Sequence, residues 1–237
     1  MTQWPSGMTP PIVRNQQPAE KPQETKEYIE VHSIWPTIQG EGPYAGMPAV
    51  FMRLSGCNLQ CPLCDTEYTT NRKKMTPPAV LTTINAYGQG ALVVITGGEP
   101  FRQDINRTVR ALLLSGHPVQ IETNGTLYLD DFPYSKVTVV CSPKTPSIHQ
   151  RLRPDYYKYV LDADHVDKDD GLPTSALGMV GKPARPRNGE QDVTIYVQPL
   201  DEDNEEKNKR HMQAAVDSVM KYDYRLCLQV HKIAGLQ

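Results

Sequence analysis

Short apolar runs alternate with amphipathic stretches along most of the chain. Runs of four to six residues, rich in β-branched side chains, predict seven strands. Several of these runs are apolar without interruption, which is typical of parallel strands buried on both faces. The predicted strands cover residues 49–54, 91–96, 119–122, 136–141, 156–161, 193–198 and 225–230.

Helical periodicity between these strands predicts three helices, over residues 79–87, 104–115 and 204–222. In the second helix, one face predicts the buried side, and it consists of Ile105, Val109, Leu112 and Leu113. In the third helix, one apolar stripe predicts the side that faces the core, and it consists of Met212, Ala215, Val216, Val219 and Met220.

The order of these elements indicates the fold class. Strands that alternate with helices favour parallel strands joined by crossover connections. An incomplete β/α barrel with about six or seven strands and three helices fits this α/β pattern best, and a doubly wound sheet is the alternative. Residues 165–190 show no periodicity and predict a long surface loop.

The first 27 residues differ in composition from the rest of the chain. Five prolines stand among Gln, Glu, Lys and Thr, and the few apolar residues show no period. Such a segment cannot bury enough surface to offset the entropy lost on ordering. We therefore expect a proline-rich, flexible tail over residues 1–27 and one catalytic domain over residues 28–237.

Composition argues against several classes of protein. Lys and Arg total 25 and Asp and Glu total 27, so the net charge of -2 lacks the basic surplus of a nucleic-acid-binding protein. No apolar run approaches the roughly 18 residues needed to span a bilayer, and no secretory signal is evident. Three of the five cysteines crowd into eight residues, unlike a disulfide framework. We expect a cytoplasmic protein with no nucleic-acid or membrane partner.

Unusual short motifs follow almost every predicted strand. Each motif alone is compatible with an ordinary turn, because Gly, Pro, Asn and Ser dominate turns. The carboxyl ends of the strands of a β/α barrel, however, meet at one mouth, where active sites form. The motifs are SGC at 55–57, GGEP at 97–100, TNG at 123–125, SPK at 142–144, QPLD at 198–201 and HK at 231–232.

The cysteine motif points most directly to chemistry. Cys57, Cys61 and Cys64 form C-x3-C-x2-C in a polar loop. This spacing lets three thiolates converge on one inorganic centre, and iron–sulfur clusters are bound by such cysteines. Three ligands leave one iron of a four-iron cluster open to another molecule. The alternatives are a zinc site, which requires a fourth ligand, and buried structural cysteines.

Together with the GGEP strand end, this motif resembles the radical S-adenosylmethionine (SAM) superfamily. More narrowly, residues 28–237 resemble the 7-carboxy-7-deazaguanine synthase family. The motifs that carry the narrower resemblance are TIQGEG at 37–42, PAVFMRLSGCN at 48–58, CDT at 64–66, VVITGGEP at 93–100, ETNGT at 122–126, SPK at 142–144, QPLD at 198–201 and the terminal LQVHK.

The resemblance implies a set of cofactors. The three cysteines would bind a [4Fe-4S] cluster whose open iron holds SAM, the source of a 5′-deoxyadenosyl radical, and Thr66 would bind Mg2+. The chemistry of Glu99 suits the SAM ammonium group, and that of Glu122 and Asn124 suits ribose hydroxyls. The SAM contacts that the resemblance itself implies are Gly98, Ser142, Pro143, Lys144 and Gln198.

The implied substrate is 6-carboxy-5,6,7,8-tetrahydropterin, which the family converts to 7-carboxy-7-deazaguanine with loss of ammonia. A carboxylate suits a bidentate arginine such as Arg53, and the amide of Gln39 offers a donor and an acceptor to a pterin edge. The resemblance also implies an electron donor such as flavodoxin or ferredoxin, and a homodimer. The implied substrate contacts are Ile38, Gln39, Gly40, Arg53 and Thr96.

Two other functions stay open at this point. A different radical SAM enzyme, such as a glycyl-radical activating enzyme, shares the cysteine spacing but needs a surface that accepts a protein substrate. A non-catalytic regulator would keep the fold and bind a partner through the tail.

Overall fold

A nine-stranded sheet organises the part of the chain that the computed structural model describes, which is residues 17–23, 25, 27–187, 189, 190 and 192–236. The strands are β1 (Ile29–Ile38), β2 (Pro48–Leu54), β3 (Lys73–Met75), β4 (Leu92–Gly97), β5 (Val119–Thr123), β6 (Thr138–Cys141), β7 (Tyr156–Leu161), β8 (Thr194–Pro199) and β9 (Arg225–Leu226). The helices are α1 (Pro77–Asn85), α2 (Asn106–Leu114), α3 (Glu205–Tyr222) and α4 (Val230–Ile233).

The strand order is that of a barrel wall. The sheet runs β3-β1-β2-β4-β5-β6-β7-β8-β9, and each strand from β4 onward pairs in parallel with the one before it. β1 is antiparallel to both β2 and β3. The sheet is curved, since Lys158 on β7 forms an ion pair with Glu41 just after β1. This order and curvature confirm the predicted α/β class. They correspond to an incomplete barrel, because in a doubly wound sheet the order of the strands along the sheet would reverse part-way.

Burial on both faces explains the uninterrupted apolar strands. On β4, Val93 and Ile95 join the main core, whereas Leu92 and Val94 pack with Ala49 in a second cluster on the opposite face. The predicted face of α2 is confirmed, because Ile105, Val109 and Leu112 are all fully buried in the main core.

The predicted face of α3 is confirmed only in part, because Ala215 is fully buried and Val219 packs against the main core, whereas the two methionines of the stripe are exposed. Met220 is 81% exposed and Met212 is also exposed, whereas the helix buries His211, Ala215 and Ser218. The buried polar side chains have partners outside the helix. His211 Nδ1 accepts a hydrogen bond from the N–H of Ala163 (2.9 Å), and Ser218 Oγ donates to the carbonyl of Gly171 (2.7 Å). Hydrogen bonds to the loop after β7 therefore decide which side of α3 is inside.

The strands of the structure differ from the predicted ones in three places. The sequence analysis missed β1 and β3, and the strand predicted over 225–230 ends at Leu226. β1 was not predicted because Pro36 and several polar residues interrupt its alternation of apolar and polar positions. β3 was not predicted because it has only three residues. After β9 the chain leaves the sheet, and the N–H of Val230 donates to the carbonyl of Gly40 (3.1 Å) as α4 begins.

The tail predicted over residues 1–27 is described only in part, because residues 1–16, 24 and 26 lie outside the described residues. Residues 17–23 are hydrogen-bonded to the folded domain. The boundary at residue 27 stays a prediction. Among the helices that the structure describes, none is long and apolar enough to cross a bilayer.

Candidate active site

A cavity of about 620 Å³ opens at the carboxyl ends of the parallel strands. Its position is where the short motifs of the sequence predicted a site. The predicted site residues that line it are Gln39, Arg53, Cys57, Cys61, Cys64, Thr66, Thr96, Gly98, Glu122, Asn124, Ser142, Lys144 and Gln198. The predicted residues that do not line it are Ile38, Gly40, Glu99 and Pro143.

The three clustered cysteines lie on the loop between β2 and β3, which we call the cluster loop and define as residues 57–68. Cys57 and Cys61 are buried and Cys64 is half-buried, and the cysteines form no disulfide. The N–H of Gly56 donates to the carbonyl of Tyr68 (2.9 Å) and closes the base of the loop. Asn58 ties the loop to the end of β5, because its side chain accepts a hydrogen bond from Asn124 Nδ2 (3.0 Å).

The thiols fit an iron–sulfur cluster. Burial raises the pKa of Cys57 to about 12 and that of Cys61 to about 11, so cluster binding must displace protons from these thiols. No three His, Cys, Asp or Glu side chains within the described ranges are close enough together to hold a single metal ion. A multi-iron cluster, in which each cysteine binds a different iron, suits separated thiols better than one zinc ion does.

Two glycines bring the end of β4 against the cluster loop. A Cβ on Gly98 would lie 2.2 Å from the carbonyl oxygen of Gly56, and a Cβ on Gly97 would lie 2.3 Å from that of Leu54. The N–H of Glu99 donates to the same Gly56 carbonyl (3.0 Å). These glycines therefore permit close backbone packing beside Cys57. This packing requires glycine at both positions whether or not a ligand also approaches them.

Gly98→Ala is expected to cost about 1–3 kcal/mol of unfolding free energy, because the new methyl group must displace backbone atoms. It should also lower the iron content after reconstitution, since the displaced atoms adjoin Cys57. Thermal unfolding and iron analysis measure the two effects.

Gly116→Ala is the matched control for this variant. Gly116 has a positive φ of 83°, but no atom lies within 4 Å of the position that a Cβ would take, so alanine there should lower stability without lowering iron content. Equal iron contents in the two variants would contradict the packing argument.

Glu99 lies behind the cavity wall. Its carboxylate is fully buried and accepts hydrogen bonds from the Thr123 hydroxyl (2.7 Å) and from the N–H groups of Asn124 (2.8 Å) and Phe101 (2.9 Å). Burial raises the pKa of Glu99, an effect that these hydrogen bonds partly oppose. The carboxylate thus fastens the end of β5 to the end of β4, and its proposed contact with SAM stays a prediction.

A cationic group stands on the wall formed by the end of β6. Lys144 Nζ donates to the carbonyl of Ser142 (2.8 Å). Burial lowers the pKa of Lys144, whereas the neighbouring Cys61 acts in the opposite direction. An ammonium group beside the cysteines suits a ligand that carries a carboxylate.

Arg53 places a second cation in the cavity from β2. Its guanidinium carbon lies 5.2 Å from the centroid of the Trp35 ring, and its buried Nε has no hydrogen-bond partner among the described residues. Burial lowers the pKa of Arg53, and the nearby Asp65 partly offsets this effect. A buried guanidinium nitrogen without a partner is costly unless an anionic ligand completes its hydrogen bonds.

A buried charge network lies beside these cations, and the sequence analysis predicted its Gln39 and Glu122 but missed Lys158 and Gln229. Lys158 Nζ pairs with Glu41 and lies 3.5 Å from a carboxylate oxygen of Glu122. Gln39 Nε2 donates to the other oxygen of Glu122 (3.0 Å), and Gln229 Nε2 donates to Glu41 (2.8 Å). The detectable signal was one lysine in the middle of an otherwise apolar strand, YYKYVL.

The network holds its charges through mutual attraction. Burial by itself would lower the pKa of Lys158, but the charges of Glu122 and Glu41 outweigh it and hold this pKa above its ordinary value. Burial by itself would raise the pKa of Glu41, but Lys158 and Gln229 hold it below its ordinary value. The cavity therefore contains fixed charges of both signs at neutral pH.

His231 closes the cavity beside the end of β1. A Cβ on Gly40 would lie 1.8 Å from His231 Nδ1, so Gly40 is required for this packing. The Nδ1 atom is buried and has no hydrogen-bond partner in the described part of the chain. Burial lowers the pKa of His231, which favours the neutral ring.

Comparison with known proteins agrees with this geometry. The family model described as Radical SAM superfamily matches residues 53–186. A 7-carboxy-7-deazaguanine synthase from Rhodospirillum rubrum is 40% identical over 220 residues, covering 87% of this chain and 92% of the relative. The one from Rickettsia prowazekii is 36% identical over 217 residues, covering 88% and 89%.

A solved structure shows the same fold. The crystal structure of QueE from Escherichia coli superposes with a TM-score of 0.62 at 22% identity, covering 84% of this chain and 92% of that one. The family model and the extent of the matches to these relatives agree with the cysteine loop beside the cavity. They show that the chain belongs to the radical SAM superfamily and, within it, to the 7-carboxy-7-deazaguanine synthase family.

Proposed function

We propose that this radical SAM synthase converts 6-carboxy-5,6,7,8-tetrahydropterin to 7-carboxy-7-deazaguanine with loss of ammonia. The names of its relatives specify the product. The observation that most supports a small carboxylated substrate is the buried, unpartnered Nε of Arg53 in the cavity that the cluster cysteines also line.

The radical SAM family implies a [4Fe-4S] cluster and SAM, which together supply a carbon radical that removes one hydrogen atom from the substrate, here the hydrogen on C6. Cys57, Cys61 and Cys64 would hold the cluster. Lys144 would pair with the SAM carboxylate, which agrees with its position at the cavity wall beside Ser142. The other cavity-lining residues that would contact SAM are Gly98, Glu122, Asn124, Ser142 and Gln198.

The substrate side of the cavity would be built from Arg53 and the charge network. Arg53 would bind the pterin carboxylate through two parallel hydrogen bonds. Gln39 and Glu122 are already hydrogen-bonded to each other and together present donors and acceptors to a pterin edge. Lys158 would hold the Glu122 carboxylate in place, so that the substrate meets a preorganised surface.

A magnesium ion would bind at Thr66. The Thr66 hydroxyl donates to a carboxylate oxygen of Asp65 (3.2 Å), and both residues line the cavity. Mg2+ prefers such hard oxygen ligands and commonly shares them with substrate oxygens and water. The ion would then help Arg53 to orient the substrate carboxylate during ring contraction.

We further propose a cytoplasmic homodimer that receives its electron from flavodoxin or ferredoxin. The reducing compartment is supported by five cysteines that form no disulfide, and the dimer and the donor by the family resemblance.

The deciding experiment is an anaerobic assay of the reconstituted protein with the pterin, SAM, Mg2+ and a chemical reductant. We expect 7-carboxy-7-deazaguanine and ammonia to form while SAM is regenerated, so that product exceeds the methionine released. A cluster-loaded protein that binds the pterin but never forms product would refute the proposal. Consumption of SAM without any change in the pterin would favour a different radical SAM reaction.

Arg53→Lys is expected to lower kcat/KM for the pterin by about 10- to 100-fold, because a lysine cannot form the paired hydrogen bonds to a carboxylate. The loss should appear in the KM for the pterin and leave the KM for SAM unchanged. Arg210→Lys, at an exposed position on α3, is the matched control and should behave as the unaltered protein. Equal effects on both KM values would contradict a specific contact between Arg53 and the pterin.

A further inference from the structure

We propose that residues 17–23, which we call the strap, position the cluster loop for cluster binding. None of the strap residues lines the cavity, so the strap contacts the cluster loop from outside the active site. This inference goes beyond the proposed reaction, because it concerns how the cysteines are held before any substrate binds.

The strap contacts the first cluster ligand through its main chain. Ala19 and Cys57 form a parallel β-bridge, and the N–H of Glu20 donates to the carbonyl of Cys57 (2.7 Å). The main chain of Cys57 is thereby held by the strap while its side chain lines the cavity. This contact restricts the conformations open to the residue that carries the first thiol.

A single side chain of the strap holds the other end of the cluster loop. The Nε2 of Gln17 donates to the carbonyl of Thr66 (2.9 Å), and its Oε1 accepts from the N–H of Tyr68 (2.7 Å). These groups lie two and four residues after Cys64, the third predicted ligand. The Gln17 amide thus completes two main-chain hydrogen bonds in a loop that has no regular secondary structure of its own.

The strap is itself anchored on the folded domain. Arg102 is almost fully buried and donates both to the carbonyl of Lys21 (3.2 Å) and to that of Ser55, two residues before Cys57 (3.0 Å). The N–H of Gln23 donates back to the carbonyl of Arg102 (2.7 Å). The strap carboxylate of Glu20 pairs with Arg72 and lies 3.4 Å from Arg102.

These contacts have a consequence for the cluster. A twelve-residue irregular loop must order three ligands at once, and every contact that orders it beforehand reduces the entropy lost on binding. The strap fixes the loop on both sides of the three cysteines, at Cys57 and at Thr66 to Tyr68. Weakening the strap should therefore increase local opening of the cluster loop while leaving the barrel folded.

The first test measures hydrogen exchange of the full-length apoprotein. In Gln17→Ala, amides of the cluster loop, above all that of Tyr68, should exchange about tenfold faster, the result expected when two hydrogen bonds are lost. Amides of α3 should exchange as before. Gln213→Ala, at an exposed position on α3, is the matched control. Gln17→Glu keeps the acceptor for Tyr68 and loses the donor to Thr66, so its exchange should be intermediate.

The second test measures the release of iron from the anaerobically loaded protein to a chelator. Gln17→Ala should release iron about tenfold faster than the unaltered protein, because the same opening exposes the cluster. Glu20→Pro removes the N–H that binds Cys57 and should also release iron faster. Glu20→Ala keeps this N–H and is the matched control, which separates the main-chain contact from the ion pair with Arg72.

Cluster-loop exchange and iron release at the unaltered rates in Gln17→Ala would overturn the proposal, whether or not Glu20→Pro folds. Faster exchange in α3 and the cluster loop alike would also overturn it, because that pattern indicates a general loss of stability. Neither measurement uses the pterin. The proposal about the strap can therefore be refuted while the proposed reaction stands, and the proposed reaction can be refuted while the proposal about the strap stands.

Discussion

Cys61→Ala is expected to abolish cluster binding, so that iron content, brown colour and SAM cleavage all fall to the detection limit. Cys61 is the middle ligand of the three and is buried in the cavity wall. No further cysteine can replace it, because Cys141 is buried in β6 and Cys227 after β9, and neither lines the cavity. Iron analysis and the electron-spin spectrum of the reduced protein, with and without SAM, measure the loss.

Cys141→Ala is the matched control, since it removes a buried thiol that lies outside the cavity. It should keep its iron and lose only about 1 kcal/mol of stability, because a small buried group is removed. If Cys61→Ala kept the colour and the SAM cleavage of the unaltered protein, the cysteine loop would not be the cluster site and the proposed function would fail with it.

Lys158→Met is expected to lower the free energy of unfolding at pH 7 by about 3–5 kcal/mol, because it leaves two carboxylates buried without their cation. Lys158 is only 9% exposed, and Glu41 and Glu122 are 13% and 17% exposed, so water cannot replace the missing charge. Denaturant unfolding measures the loss. Lys209→Ala, at an exposed position on α3, is the control and should change stability by less than about 0.5 kcal/mol.

The pH dependence of this loss is a sharper test of its electrostatic origin. In the unaltered protein the pKa of Glu41 is held below its ordinary value of 4.5, so its stabilising contribution is present above pH 4.5 and disappears as the pH falls below that value. In Lys158→Met, burial without the cation should raise this pKa instead. The difference between the two proteins should therefore be largest at neutral pH and shrink as the pH approaches 4.5. A constant difference would indicate lost packing.

The sequence predicted best the features that depend on neighbouring residues. The β4 run is apolar at every position because both of its faces are buried, and the face of α2 follows directly from helical period. The spacing of Cys57, Cys61 and Cys64 likewise lies within one short loop. The prediction for α3 failed at Met212 and Met220. The helix buries His211 and Ser218 instead, because the loop after β7 supplies their partners, and no local pattern contains that information.

The candidate site also combines features that local sequence predicts with features that depend on distant contacts. Motifs at strand ends located the cavity, because parallel strands in sequential order bring their carboxyl ends together. Lys158 was overlooked because a lone lysine in a strand has no predictable partner. Pro143 and Glu99 do not line the cavity, and their contacts with SAM stay predictions. A motif gives the approximate place of a residue, whereas the direction of its side chain depends on its packing.

The sequence alone determined the α/β class and most of the parallel strands, since these follow from period and spacing within short segments. Its motifs predicted the cluster chemistry through a family resemblance, and they predicted the edge of the sheet at which the cavity opens. The tertiary structure decided the rest. Glu41 and Lys158 are 117 residues apart, and Gln17 and Thr66 are 49 apart. Such contacts form only when the sheet curves and the strap returns to the cluster loop, and these events depend on the packing of the whole domain.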